Sequence, residues 1–469
     1  MDKVRTRFAP SPTGYMHIGS LRTALYEYAF AKSSNGKFIL RIEDTDRNRY
    51  VPGSTEKIYE QLKLFGIDWD EGPIVGGPFA PYIQSERVKT GIYQKYANKL
   101  LETGHAFYCF CKPRTKEEIK ETHADKISEF RDANCRHLTS VEVQKRIASG
   151  EKPAIRLKVP DNETVSFYDI VVKKEIAWKT EFVDDAMLLK SDGFPTYQLA
   201  VVVDDAAMEM THIIRALEWL PSTPIHLLLF KYLDFPVPQI GHLTDILDPS
   251  GGKLSKRKGN VSTEDFINAG YLPEAILNFI MLVGWAPKDN REMYTLKEFI
   301  KNFNPDGLQK ANAMFFPAKL NWFNQQYIKK LDDSSLAEKI LNFTDRPKET
   351  VLRLLPLVRD RLIVLKDFDG LTDYFFARPK VEKTAFSAIN LDARKVILHA
   401  AGVLEKSWDG KILEEEGRRF CTENTIKVGD YFMVLRIAVT GKIATPPLWE
   451  VMEVLGKAES LLRLKSVEV

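Results

Sequence analysis

Residues 3–20 read KVRTRFAPSPTGYMHIGS and carry the strongest fold signal of the chain. Charged and uncharged side chains alternate over residues 3–9, which predicts a strand, and residues 10–14 (PSPTG) predict a rigid turn. Apolar residues follow helical spacing over residues 21–31, and residues 38–42 form a second apolar run. Strand, turn, helix and strand in this order predict a βαβ unit with a parallel sheet.

The predicted turn is a candidate binding site, because ligands of such sheets gather at the carboxyl ends of the strands. Residues 10–20 and the acidic run at residues 43–46 would both lie there. A helix N-terminus offers unpaired N–H groups to phosphate, Gly19 allows close approach to the backbone, and His17 can donate a hydrogen bond. The alternative is an ordinary strand-to-helix turn whose histidine caps the helix.

Composition excludes several classes of protein. The 469 residues suggest about three domains. Hydrophobic residues make up 44% and charged residues 28%, which is typical of a globular chain and excludes wholesale disorder. The net charge of +3 excludes a polybasic protein, but nucleic-acid binding needs only a local basic face.

The distribution of apolar residues and cysteines predicts the compartment. The longest apolar stretch, residues 276–285, is shorter than the ~20 residues of a membrane helix, and the first residues lack the apolar segment of a signal peptide. Three of the four cysteines cluster between Cys109 and Cys135, whereas a disulfide framework spreads its cysteines. We therefore expect a cytoplasmic protein without membrane contact.

A second candidate segment, residues 253–259, is basic: it reads KLSKRKG and follows two glycines. Four cations on a loop suit a polyphosphate whose charge grows in a transition state. Taken alone, such a segment is also typical of a solvated basic loop.

Together, HIG at residues 17–19 and KLSKR at residues 253–257 resemble the signature pair of class I aminoacyl-tRNA synthetases. Longer strings resemble glutamyl-tRNA synthetases: RFAPSPTG at residues 7–14, RIEDTD at 41–46, DGFPTYQLA at 192–200 and IRALEWL at 214–220. The resemblance implies an α/β fold, with a Rossmann-type parallel-sheet catalytic domain, an α+β insertion and an all-α anticodon-binding region. We expect the segments 1–107 and 187–250 (the two Rossmann halves), 108–186 (the insertion), 251–330 (signature loop and stem contact) and 331–469 (anticodon binding).

The resemblance also implies the reaction. Glutamate attacks the α-phosphate of ATP, which arrives with Mg²⁺; glutamyl-adenylate forms, and the glutamyl group passes to the 3′ end of tRNA(Glu). His17 and Lys256 would be catalytic by stabilising the phosphate. The residues implied for ATP are Pro10, His17, Gly19, Ser20, Glu218, Ile246, Lys253, Ser255, Lys256 and Arg257.

Glutamate carries two carboxylates and one ammonium, so its pocket should offer guanidinium groups and one anion. The resemblance places Arg7, Ala9, Ser11, Glu43, Tyr197 and Arg215 there. Glu43 is assigned to the ammonium, and the two carboxylates are not divided between Arg7 and Arg215. The family often has Asn where this chain has Val201, so we expect no polar contact from that position.

Cys109, Cys111, Cys135 and His137 have a spacing that can complete a tetrahedral Zn²⁺ site. Some bacterial glutamyl-tRNA synthetases resemble this chain here and bind a zinc in the insertion, so we expect one structural zinc. The alternative is three free thiols and a surface histidine.

Arg361 is the candidate for reading the third anticodon base, against the alternative of a solvated helix face. We expect a monomer whose partners are tRNA(Glu), L-glutamate and ATP. The alternatives are an enzyme that also charges tRNA(Gln) and a tRNA-binding protein that has lost catalysis. A glutaminyl enzyme is disfavoured by the RIEDTD string, and a truncated paralogue by the long helical tail.

Overall fold

The computed structural model describes residues 3–111, 134–254, 262–387, 389 and 391–467. The chain divides into two compact units. The first comprises Met1–Ile267 and Pro273–Leu320, and the second comprises Asn268–Leu272 and Asn321–Val469. The finer division into five segments stays a prediction.

The strands lie in the first unit. They are β1 Arg5–Phe8, β2 Lys37–Leu40, β3 Ala106–Cys109, β4 Ala154–Leu157, β5 Thr164–Asp169, β6 Lys174–Lys179, β7 Met187–Leu189, β8 His212–Ala216, β9 Gln239–Leu243, β10 Ile246–Leu247 and β11 Ala313–Met314.

Helices alternate with these strands and then continue alone. They are α1 Ile18–Ser33, α2 Ser54–Leu64, α3 Gln84–Val88, α4 Ile92–Glu102, α5 Ser140–Ala148, α6 Tyr197–Ala207, α7 Thr223–Tyr232, α8 Thr263–Asn268, α9 Pro273–Met281, α10 Leu296–Asn302, α11 Pro317–Lys330, α12 Asp333–Ile340, α13 Lys348–Val358, α14 Asp367–Thr372, α15 Ala393–Lys406, α16 Gly410–Asn424, α17 Val428–Thr440, α18 Leu448–Leu455 and α19 Lys457–Ser466.

The predicted βαβ unit is confirmed. β1 and β2 pair in parallel with Arg5 opposite Lys37, and α1 connects them. β8 and β9 form a second parallel pair, and the N–H of Thr211 donates to the carbonyl of Arg5 at 3.1 Å. The starts of β1 and β8 are thus adjacent, so their carboxyl ends open on the same side.

The predicted insertion, residues 108–186, contains β4, β5 and β6; β3 crosses its first boundary, and β7 begins just after its second. β3, β4 and β7 form a three-stranded antiparallel sheet, and β5 pairs antiparallel with β6 as a hairpin. The N–H of Ile170, just after β5, donates to the carbonyl of Ile240 in β9 at 3.0 Å. The hairpin is therefore attached to the edge of the β8–β9 pair, next to the predicted binding side.

The regular secondary structure that the structure describes in the second unit is entirely helical, in agreement with the predicted all-α region. A buried cluster of this unit joins α15, α17 and α19 through apolar residues such as Val396, Val434 and Leu464. In neither unit is any described helix long and apolar enough to cross a membrane.

Candidate active site

A cavity of about 520 Å³ opens at the carboxyl ends of β1 and β8. Every residue that the sequence assigned to ATP or glutamate, and that the structure describes, lines this cavity: Arg7, Ala9, Pro10, Ser11, His17, Gly19, Ser20, Glu43, Tyr197, Arg215, Glu218, Ile246 and Lys253. Positions as distant in sequence as Arg7 and Lys253 therefore share one site.

His17 is the N-cap residue of α1. Its Nδ1 accepts the N–H of Gly19 at 3.0 Å, which is the capping role offered as the structural alternative. Because Nδ1 acts as the acceptor, a neutral ring carries its proton on Nε2. The cap therefore fixes the tautomer that a phosphate-contacting histidine needs, and the two interpretations are compatible.

The basic signature segment is anchored to this cavity at both flanks. The N–H of Leu254 donates to the carbonyl of Ile246 at 2.9 Å, and the N–H of Thr263 donates to the carbonyl of Met16 at 3.0 Å. Three of the assigned ATP residues lie outside the described residues: Ser255, Lys256 and Arg257.

Lys253 contacts another residue assigned to ATP. Its Nζ lies 2.9 Å from Oε2 of Glu218 and 3.1 Å from Oδ1 of Asp245. Burial tends to lower the pKa of Lys253, but the two carboxylates raise it overall, so its ammonium is charged.

A buried ion-pair network surrounds Asp205 at the other end of the cavity. Arg41 donates to Asp205 at 2.7 Å and to Glu43 at 2.8 Å, and Arg7 donates to Asp205 at 3.2 Å. A second carboxylate, Glu27, lies 3.6 Å from Arg7. Burial tends to raise the pKa of Asp205, but the charges of Arg41 and Arg7 lower it overall.

Arg215 differs from these arginines because its partners are uncharged. It is 5% exposed, and no carboxylate among the residues that the structure describes forms an ion pair with it. Its guanidinium donates to Nε2 of His242 at 3.1 Å, to Oγ1 of Thr223 at 2.8 Å and to the hydroxyl of Tyr197 at 3.4 Å, and Nδ1 of His226 lies 3.0 Å away. The cavity thus contains a buried cation without an acidic partner.

Burial also changes the proton affinities of the groups around this cation. It raises the pKa of Tyr197 to about 12 and raises the pKa of Glu43, although Arg41 opposes the latter shift. It lowers the pKa of His226 well below its ordinary value, and Arg215 lowers that pKa further. His226 is therefore neutral, and it adds no second positive charge beside Arg215.

Comparison with known proteins agrees with this geometry. The family described as "tRNA synthetases class I (E and Q), catalytic domain" matches residues 3–322, and the "Anticodon binding domain" family matches residues 321–467. The chain belongs to the class I tRNA synthetases of the E and Q group. The junction of the two families lies close to the boundary between the two structural units at Leu320.

Relatives of this synthetase match it over nearly its whole length. A glutamate–tRNA ligase of Finegoldia magna is 40% identical, with 99% of each chain covered, and one of Clostridioides difficile is 38% identical with the same coverage. The crystal structure of a glutamate tRNA ligase from Elizabethkingia meningosepticum in complex with its amino acid has a TM-score of 0.81 at 35% identity, covering 99% of each chain.

Three of the four predicted metal ligands of the synthetase come together. The Sγ atoms of Cys109, Cys111 and Cys135 lie within 4.8 Å of one another, and those of Cys111 and Cys135 are 3.7 Å apart. Within the described part of the chain, this three-thiol cluster does not include His137, which is exposed. Burial and the neighbouring Cys109 thiol raise the pKa of Cys111 to about 12.

The anticodon candidate lies in the second unit. Arg361 is exposed at the end of a short 3-10 helix, Arg359–Arg361. Arg359 is half-buried and donates to Asp333 and to the carbonyl of Leu331. Arg359 therefore has a structural role, whereas Arg361 projects into solvent.

Sequence reasoning missed several residues of the site. Asp205 compensates the charge of Arg7, Glu27 lies beside the same guanidinium, and His242 holds Arg215, but none of the three lies in a quoted motif. Helical spacing gives Asp205 and Glu27 no special signal. Val201 is 1% exposed in an apolar cluster and does not line the cavity, so the expected lack of a polar contact is consistent with its position.

Proposed function

We propose that this synthetase is a glutamate–tRNA ligase, which activates L-glutamate with ATP to glutamyl-adenylate and transfers it to the 3′ end of tRNA(Glu). The observation that carries the proposal is the buried, uncompensated guanidinium of Arg215 in the same cavity as the buried carboxylate of Glu43. Glutamate supplies a carboxylate for the first and an ammonium for the second.

The protein's contribution to this reaction is positioning and charge stabilisation, because the glutamate carboxylate is itself the nucleophile. ATP, with its Mg²⁺, is placed at the α1 N-terminus, where the helix dipole favours phosphate. The Nε2 proton of His17 is directed to the α-phosphate, and Glu218 lies by the ribose. Lys256 and its neighbours neutralise the departing pyrophosphate.

The substrate carboxylates are assigned to Arg7 and Arg215 without dividing them. Arg215 contributes a full positive charge, since its own partners are neutral. The charge of Arg7 is already balanced by Asp205. Arg7 therefore binds a substrate carboxylate mainly through its N–H donors, since the Arg7–Asp205 pair has little net charge.

A structural zinc is part of the proposal, and the three thiols fit it. Two thiolates bound tetrahedrally at ~2.3 Å from zinc lie ~3.8 Å apart, and Cys111 and Cys135 have their sulfurs at 3.7 Å. The metal would cross-link the end of β3 to the short helix that contains Cys135, with His137 as the fourth candidate ligand. Its chemistry there is structural, because it lies outside the cavity that holds the substrates.

The remaining assignments are that Arg361 reads an anticodon base, that the enzyme is a monomer, and that it works in the cytoplasm. Exposure of Arg361 supports the first. If Arg361 reads a base, Arg361→Ala should raise KM for tRNA(Glu) about fivefold or more, since one good base contact contributes ~1–3 kcal/mol. An unchanged KM for tRNA would contradict this assignment.

A charging assay with purified tRNA(Glu) and tRNA(Gln), each with glutamate and glutamine, tests the function. We expect glutamate on tRNA(Glu). Glutamate on both tRNAs would favour the relaxed enzyme, and no product in any combination would favour the non-catalytic tRNA-binding protein. Glutamine on tRNA(Gln) would refute the proposal.

A further inference from the structure

His242 accepts a hydrogen bond from Nε of Arg215, the guanidinium nitrogen nearest the backbone. Nε of Arg215 donates to Nε2 of His242 at 3.1 Å, and Oγ1 of Thr223 lies 3.3 Å from the same ring nitrogen. His242 is fully buried in β9, parallel to β8, where it stands opposite Arg215 in the register. To accept from Arg215, Nε2 must carry no proton.

Asp169 fixes that protonation state from the other side of the ring. Its Oδ2 lies 2.7 Å from Nδ1 of His242, and both side chains are fully buried. The same carboxylate accepts the N–H groups of Val171, Val172 and His242. Since this carboxylate only accepts, the proton of the neutral imidazole must lie on Nδ1.

The surroundings lower the pKa of both His242 and Asp169, so the imidazole stays neutral and the carboxylate stays ionised. Burial lowers the pKa of His242, against the raising effect of Asp169, and the charge of Arg215 lowers it further. Burial tends to raise the pKa of Asp169, but its hydrogen bonds lower it overall. A neutral imidazole therefore lies between an anion and a cation.

We propose that Asp169 and His242 are positioning residues for substrate recognition: they hold the Arg215 guanidinium in the orientation that receives a carboxylate of the amino-acid substrate. The inference rests on the proposed glutamate site. It links the β5–β6 hairpin of the insertion, which contains Asp169, to the specificity of the catalytic cavity. Neither residue belongs to a motif in the sequence, and neither lines the cavity.

Asp169→Asn tests the tautomer directly. An asparagine that presents its amide N–H to Nδ1 forces the imidazole proton onto Nε2, where it opposes the N–H of Arg215 Nε. If the asparagine instead turns its carbonyl oxygen to Nδ1, its amide NH₂ group faces the backbone N–H groups of Val171 and Val172, and donor then opposes donor. We expect KM for glutamate in the charging reaction to rise about tenfold or more, while KM for ATP stays within threefold.

Substitution of His242 separates positioning from packing. In His242→Gln the amide carbonyl can accept from Arg215 whatever residue 169 presents, so both this variant and Asp169→Asn/His242→Gln should have a lower KM for glutamate than Asp169→Asn alone. His242→Leu has no acceptor and should raise KM for glutamate as Asp169→Asn does. If Asp169→Asn fails to fold, KM for glutamate in His242→Gln and in His242→Leu still tests the positioning role: it should be higher in the leucine variant.

Asp185→Asn is the matched control. Asp185 is also fully buried in the insertion, where it pairs with Arg136 and accepts the N–H of Val159, with no contact to Arg215. This variant should lose stability without a selective change in KM for glutamate. Equal effects of the Asp169 and Asp185 variants, or a tenfold rise in KM for ATP as well, would overturn the inference.

Arg215→Ala distinguishes failure of the inference from failure of the site. If Arg215→Ala raises KM for glutamate but Asp169→Asn and His242→Leu leave it within threefold, the positioning role is refuted and the proposed site stands. If Arg215→Ala also leaves it unchanged, both are refuted.

Discussion

Arg215→Ala is the substitution that best tests the proposed glutamate site. Exposed ion pairs contribute only ~0–1 kcal/mol, but Arg215 is 5% exposed, so its contact with a substrate carboxylate would be desolvated. Leaving a buried anion unpaired costs ~2–5 kcal/mol, which is about 30-fold to about 4,000-fold in kcat/KM for glutamate. KM for ATP should change less than threefold.

The effect of this substitution on folding should be smaller than that of breaking a buried ion pair. The partners of Arg215 are neutral, and His226 and His242 keep their hydrogen bonds to Gln198 and Asp169. Hydrogen bonds from a charged donor contribute ~1.5–3 kcal/mol each. The substitution also removes a buried cation that has no carboxylate partner among the described residues, so we expect Arg215→Ala to lower the free energy of unfolding less than Arg7→Ala does.

Arg7→Ala is the matched control within the same cavity. It removes a buried cation from the ionised Asp205, and breaking a buried pair costs ~3–5 kcal/mol of folding free energy. Charging kinetics and urea denaturation of both variants, side by side, form the assay. The reasoning is refuted if Arg215→Ala destabilises the protein as much as Arg7→Ala does, or if it raises KM for ATP and for glutamate equally.

Three further predictions concern the phosphate site, the metal and a buried acid. Lys256→Ala should slow single-turnover adenylation about a hundredfold, because one cation on the developing phosphate charge contributes ~3 kcal/mol, while KM for glutamate stays within threefold. Cys109→Ser should abolish the one equivalent of zinc that mass spectrometry is expected to find in protein purified without chelator. Burial raises the pKa of Glu27, so the native state retains a proton that the unfolded chain releases above about pH 4.3. Stability from this group falls as pH rises, and Glu27→Gln should therefore become more stable relative to wild type, in urea denaturation, between pH 5 and pH 8.

The predictions for the metal and for the buried acid each have a control elsewhere in the chain. Cys421, buried in the second unit, should tolerate substitution by serine without loss of metal; less than a tenth of an equivalent in the wild type would contradict the zinc site. Glu71 pairs with Arg5 at 2.8 Å. Burial tends to raise the pKa of Glu71, but the hydrogen bond and charge of Arg5 lower it overall. Glu71→Gln should be destabilising at pH 7, with a cost that fades as pH falls through the native pKa.

The same trend with pH for Glu27→Gln and Glu71→Gln would contradict the charge assignments. Single-turnover adenylation of Lys256→Ala within threefold of wild type would remove that residue from the catalytic set.

The resemblance to glutamyl-tRNA synthetases supplied about half of the described residues that line the cavity. The sequence by itself determined the βαβ start, the α/β-then-helical order and the edge of the sheet at which the cavity opens. These follow from local patterns: alternation and helical spacing predict elements, and the carboxyl ends of parallel strands bring residues 10–20 and residue 43 to one place. The spacing of the three cysteines likewise predicted a cluster that the fold brings together, whereas His137 lies outside it.

Only the tertiary structure decided which of the two substrate arginines is balanced by acids. Arg7 and Arg215 look alike in the sequence, since each follows a hydrophobic or hydroxyl residue near the end of a strand. Asp205 reaches Arg7 from α6, and His242 reaches Arg215 from the neighbouring strand, across 198 and 27 residues respectively. The net charge at a buried guanidinium depends on such distant partners, because Coulomb interactions act through space in a low-dielectric interior, and sequence order carries no record of those distances.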